Sequence, residues 1–104
     1  MTLDPSALPW FVVRQSPLAP EERRVLEALR ALASERGSRL VEVLLGNASY
    51  DVESAPSDGR GFLLLEEDQK GRGLTVPPGV EARTVSEEEL IRQLFTSPKV
   101  IQFP

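Results

Sequence analysis

The sequence predicts a small single α/β domain, a mainly parallel sheet of about five strands with helices on its faces. Three observations predict it. Short runs that are apolar almost without a break, "WFVV", "LVEVLL" and "FLLL", have the length and composition of strands buried on both faces. Two longer segments carry apolar residues at helical spacing. Strands and helices alternate along the chain, the order of βαβ units. With 104 residues there is enough chain for one core and too little for two.

Residues 1–9 hold two prolines and little pattern, and read as an N-terminal arm before a domain at 10–104. Trp10 to Gln15 is the first expected strand, rich in aromatic and β-branched residues and stopped by Ser16-Pro17. "APEERRVLEALRALASERG" is the strongest helix. Pro20 suits a first helical position, Glu21 and Glu22 answer the positive end of the helix dipole, and Gly37 suits a left-handed exit. Its expected apolar stripe is Val25, Leu26, Leu29, Leu32 and Ala33. Ala19 carries no oxygen to act as N-cap, so Ser16 or solvent is expected to cap the first turn.

Arg39 to Gly46 is the second expected strand. "NASYDVESAPSDGRG" then offers turn formers where a full crossover helix would stand, so that helix is expected to be short or missing, one or two turns at most. Phe62 to Glu67 and Val80 to Val85 are the third and fourth strands. "SEEELIRQLFTSP" is a second clear helix, with Ser86 and Glu89 as a reciprocal capping box and Leu90, Ile91, Leu94 and Phe95 as its stripe. Lys99 to Phe103 closes the sheet.

Composition narrows the function. Acidic residues outnumber basic ones 16 to 12, a net charge of −4 with the two signs interleaved. That balance opposes direct nucleic-acid binding, which needs a basic surface to displace phosphate counterions. No apolar run approaches the roughly 18 residues that span a bilayer, and the start lacks a secretion signal, so a soluble, cytoplasmic protein is expected. The chain has no cysteine and no histidine. Thiolate nucleophiles, Ser-His triads and Cys/His zinc sites are therefore absent from it, and no resident cofactor, metal site or catalytic residue is expected.

"LEEDQKGRGL", Leu65 to Leu74, is the densest charge cluster. In the simpler reading Glu66, Glu67 and Asp68 end a strand and answer a short helix's dipole, Arg72 lies in its last turn, and Gly73 makes the left-handed exit. The alternative is a ligand site, because ligands of open parallel sheets bind beyond the strands' carboxyl ends. Asn47 and Tyr50 follow the second strand on that same side, so Asn47, Tyr50, Glu66, Glu67, Asp68 and Arg72 are the ligand or interface candidates. Trp10, Phe11, Ile101 and Phe103 are read as core or subunit contact, and they are the candidates for an oligomer interface.

In order, "LEEDQKGRGL", "PPGVEARTVSEEELIRQLF" and "PKVIQF" resemble the C-terminal half of the DsrE/DsrF/DsrH-like family, most of all its DsrH/TusB branch. The stations are Glu67-Asp68, Gly71-Arg72-Gly73-Leu74, Gly79-Val80 and Val100 to Phe103. Ser16-Pro17 and "LLGNASY" are similar to two earlier ones. The resemblance implies a three-layer α/β/α domain and a place in hetero-oligomers that relay sulfur as protein persulfide, toward tRNA thiolation or sulfur oxidation. In the related DsrE/TusD branch a reactive cysteine precedes the helix ending in "RG"; Leu65-Glu66 matches that stretch without a thiol. The resemblance thus implies a non-catalytic subunit whose partner is a cysteine-bearing relative or a second copy. A stand-alone small-ligand-binding module is the competing expectation.

Overall fold

A computed structural model describes residues 8–103. Five strands form one sheet in the order β4-β3-β2-β1-β5, and every neighbouring pair is parallel. They are β1 (Trp10–Arg14), β2 (Leu40–Leu44), β3 (Gly61–Leu65), β4 (Glu81–Val85) and β5 (Val100–Gln102). The connections are α1 (Pro20–Glu35), a 3₁₀ helix η1 (Gly46–Ser54), α2 (Glu66–Arg72) and α3 (Glu87–Thr96). The α/β class and the five-stranded parallel sheet are as the sequence predicts. The arm expected at 1–9 falls outside the described residues up to residue 7. Leu8 and Pro9 are held by their carbonyls, which accept from the hydroxyls of Ser38 and Ser97.

The unbroken apolar runs became the three central strands because only those are covered on both faces. β1 and β2 are buried at every position. The alternating β4 is an edge strand that exposes Glu81, Arg83 and Thr84. Charge on one edge and a three-residue strand on the other limit the sheet's tendency to pair with a further strand.

The chain steps from β1 to β4 in one direction and then returns past β1 to β5. Right-handed crossovers therefore place α3 on the face opposite α1 and η1. The packing agrees. Leu26 and Ala33 of α1 pack with Trp10, Val12 and Leu40, and Ala48 and Val52 of η1 pack with Leu44, Phe62 and Leu64. On the other face Leu90 of α3 meets Phe11, Val13, Val43 and Leu63. Each fully buried side chain of this size contributes about 1.5–3 kcal/mol through lost apolar surface.

Several local expectations are corrected. The second crossover is a nine-residue 3₁₀ helix, longer than one or two turns, and it is held by burying Ala48, Ser49 and Val52. Glu66 and Glu67 do not end β3; they open α2, where acids meet the positive end of the dipole. Val25, Ile91 and Phe95 are exposed, because each helix meets the sheet along a stripe narrower than its apolar face. The capping at α1 comes from Glu22, whose Oε1 accepts from the Ala19 N–H at 2.9 Å. At α3, Ser86 Oγ accepts from the Glu89 N–H at 3.2 Å, but the Glu89 carboxylate turns to Arg92 and Gln93, so only half of the box forms. α1 ends as expected, with Gly37 at φ 72° and Ser38 N–H donating back to the Ala33 carbonyl.

Candidate functional site

The carboxyl ends of β2 and β3 feed directly into η1 and α2, and this brings four of the six candidate residues together. Asp68, in the first turn of α2, accepts from the Gly46 N–H at 3.2 Å through Oδ2 and from Arg72 Nε at 3.3 Å through Oδ1. Arg72 also donates to Asn47 Oδ1 at 3.3 Å and lies 5.3 Å from the centroid of the Tyr50 ring. Tyr50 first and Asp68 second raise the pKa of Arg72 above its ordinary value, so the guanidinium stays charged. Gly73, at φ 61°, ends α2 in the left-handed conformation expected of it.

Glu66 and Glu67 do not join this group. Both are exposed in the first turn of α2, with no side-chain hydrogen bond to another described residue, and they serve the dipole. The cluster therefore spends most of its polar groups on itself. Asp68 and Arg72 latch α2 to η1, and the stacked Tyr50, 44 % exposed, covers them. No three acidic side chains among the described residues converge as they would around a metal ion.

A second polar group lies inside the domain. Arg14 and Glu42, 4 % and 3 % exposed, pair at 3.1 Å on the α1 face of the sheet. Arg14 Nη1 donates to Asp51 Oδ2 at 2.6 Å, and Arg30 Nη2 donates to the other Glu42 oxygen at 3.1 Å. Two charged residues inside runs that read as doubly buried strands were the available signal, and nothing in local periodicity says that they would meet.

Trp10, Phe11, Ile101 and Phe103, read as core or subunit contact, are buried to different degrees. Trp10 and Phe11 are core residues, 5 % and 3 % exposed, because β1 is an interior strand although it starts near the chain's beginning. Ile101 and Phe103 are half-buried against the α1 cluster. Ile91 and Phe95 of α3 and Val100 of β5 are exposed apolar residues; Phe95 is 85 % exposed.

Neither a protein-family model nor a curated protein matches the sequence. Among solved structures, the chain is similar to the YchN protein from E. coli, with a TM-score of 0.61 and 20 % identity, over 91 % of this chain and 99 % of that one. The likeness is one of fold, a single parallel sheet with helices packed on its faces. Leu65-Glu66 stands where β3 passes into α2, at the carboxyl edge of the sheet where Asn47, Tyr50 and Arg72 also meet. Among the described residues, no helix is long and apolar enough to cross a membrane.

Proposed function

We propose that this chain is a non-catalytic, DsrH/TusB-like subunit of a cytoplasmic sulfur-relay assembly. One observation carries the reading: at the carboxyl edge of a DsrE/DsrH-like sheet, the stretch that resembles the family's persulfide station is Leu65-Glu66, on a chain without cysteine. Such a subunit positions a partner's persulfide and does not hold one. The partner is a cysteine-bearing DsrE/TusD-like relative, and the product is thiolated tRNA or oxidised sulfur. Ile91, Phe95 and Val100 are exposed apolar side chains available to that association, whereas Trp10 and Phe11 are buried.

Co-expression with a cysteine-bearing relative, followed by light scattering on the purified material, tests the reading. A stable complex is expected. A chain that stays monomeric and leaves every such relative behind would sink it.

A second reading, a stand-alone ligand-binding module at Asn47, Tyr50, Asp68 and Arg72, draws support from their convergence. It is the weaker one, because Arg72 already donates to Asn47 and Asp68. Thermal shift with phosphates, nucleotides and divalent ions separates the two; a ligand at 100 times its Kd adds about 2.7 kcal/mol.

A further inference from the structure

The thin crossover between β2 and β3 leaves a pocket on the α1 face, away from the Asp68–Arg72 cluster. Its floor is Arg14, at the end of β1, with Glu42 and Phe62 side by side in β2 and β3. One wall is α1, through Arg23 and Leu26; the other is the segment leaving η1 at Ala55. The volume is about 200 Å³. Pockets for drug-sized ligands begin at about 300 Å³, so this one suits a smaller molecule.

Arg14 has hydrogen-bonding capacity left over. Its Nε is taken by Glu42, and its Nη1 by Asp51 and the Ser16 carbonyl. Nη2 has no protein acceptor among the described residues. It is not sealed in as Arg30 Nε is, and Arg14 lines the pocket. Arg23, at the rim, makes no ion pair among the described residues.

The carboxylates around the pocket are already engaged: Glu42 by Arg14 and Arg30, Asp51 by Arg14, and Glu27 by Arg60. What the site lacks is an acceptor. Three arginines, Arg14, Arg23 and Arg60, face three acids, so the lining is balanced and admits a single negative charge more readily than a double one. Leu26 and Phe62 offer apolar surface to a short carbon body.

We propose that this pocket binds a small organic monoanion, a short-chain carboxylate. Its carboxylate accepts from Arg14 Nη2 and Arg23, and its carbon body lies over Leu26 and Phe62.

The test is a titration of the ¹⁵N-labelled full chain with sodium butyrate and, separately, with sodium phosphate, at matched ionic strength. Butyrate is expected to give saturable shifts at the amides of Leu18, Ser54 and Ala55. Removing Arg14 would leave Glu42 with Arg30 alone and Asp51 without its ion pair, endangering the fold, so two other variants carry the test. Arg23→Glu should weaken butyrate binding about tenfold or more, the loss of a charge-assisted hydrogen bond. Ala55→Trp, which fills the pocket, should abolish it; unchanged amide positions away from the pocket confirm folding in each variant. Shifts that never saturate, or that persist in both variants, overturn the site. Phosphate binding as tightly as butyrate overturns the assignment to a monoanion with a carbon body.

Discussion

Arg14 Nε donates to Glu42 Oε1 at 3.1 Å between adjacent parallel strands, with both side chains about 95 % buried. Burying two charges is repaid only while both are present. Glu42→Leu should therefore destabilise the domain by about 3–5 kcal/mol, leaving Arg14 and Arg30 short of an acceptor. The double variant Arg14→Leu, Glu42→Leu should cost clearly less than the sum of the two singles. Urea denaturation of the four proteins gives the coupling directly. Additive costs would mean that the pair does not act as a unit.

Arg39 crosses above Gly61 to reach Glu81, with both of its terminal nitrogens 3.0 Å from the carboxylate. That hydrogen bond, and then the charge of Arg39, hold the Glu81 carboxyl below its ordinary pKa. A depressed carboxyl contributes stability above its unfolded value, about 4.3, and loses that contribution as pH falls through the folded one. A Cβ at position 61 would lie 2.5 Å from Arg39 Nη2, the far end of a flexible side chain. Gly61→Ala should thus push Arg39 aside and raise the Glu81 pKa back toward its ordinary value, while the melting temperature changes little, as expected for an exposed ion pair. NMR titration of the side-chain carboxyl reads the first outcome and a thermal melt the second.

Two neighbouring glycines should respond with opposite signs. Gly73 has φ 61° and turns the chain out of α2, so Gly73→Ala should cost about 1–2 kcal/mol. Gly71 lies within α2 at negative φ, with open space where a Cβ would stand. Gly71→Ala should therefore stabilise by about 0.5–1 kcal/mol. Equal effects in a denaturation series would contradict the left-handed exit.

Phe95 is 85 % exposed although the helix pattern places it in the apolar stripe. Phe95→Glu should leave the melting temperature of the isolated chain nearly unchanged, within about 0.5 kcal/mol of stability. Under the proposed function the same change should weaken association with a partner, read by light scattering. A large loss of stability would return Phe95 to the core.

The sequence by itself determined the element types and their order. Central strands were legible because burial on both faces demands unbroken apolar runs, and α1 and α3 because helical spacing and local chemistry, such as Gly37 and Ser86, mark their ends. The convergence of Asn47, Tyr50, Asp68 and Arg72 was partly legible, since the carboxyl ends of parallel strands collect their loops on one side. Only the tertiary structure decided the rest. Strand order settled the core alternative for Trp10 and Phe11 and left Ile91, Phe95 and Val100 exposed. It also paired Arg14 with Glu42, 28 residues apart, and opened a pocket beside them. Local patterns report how a residue sits relative to its own helix or strand. Which faces meet, and which are left uncovered, is set by contacts between segments far apart in the chain.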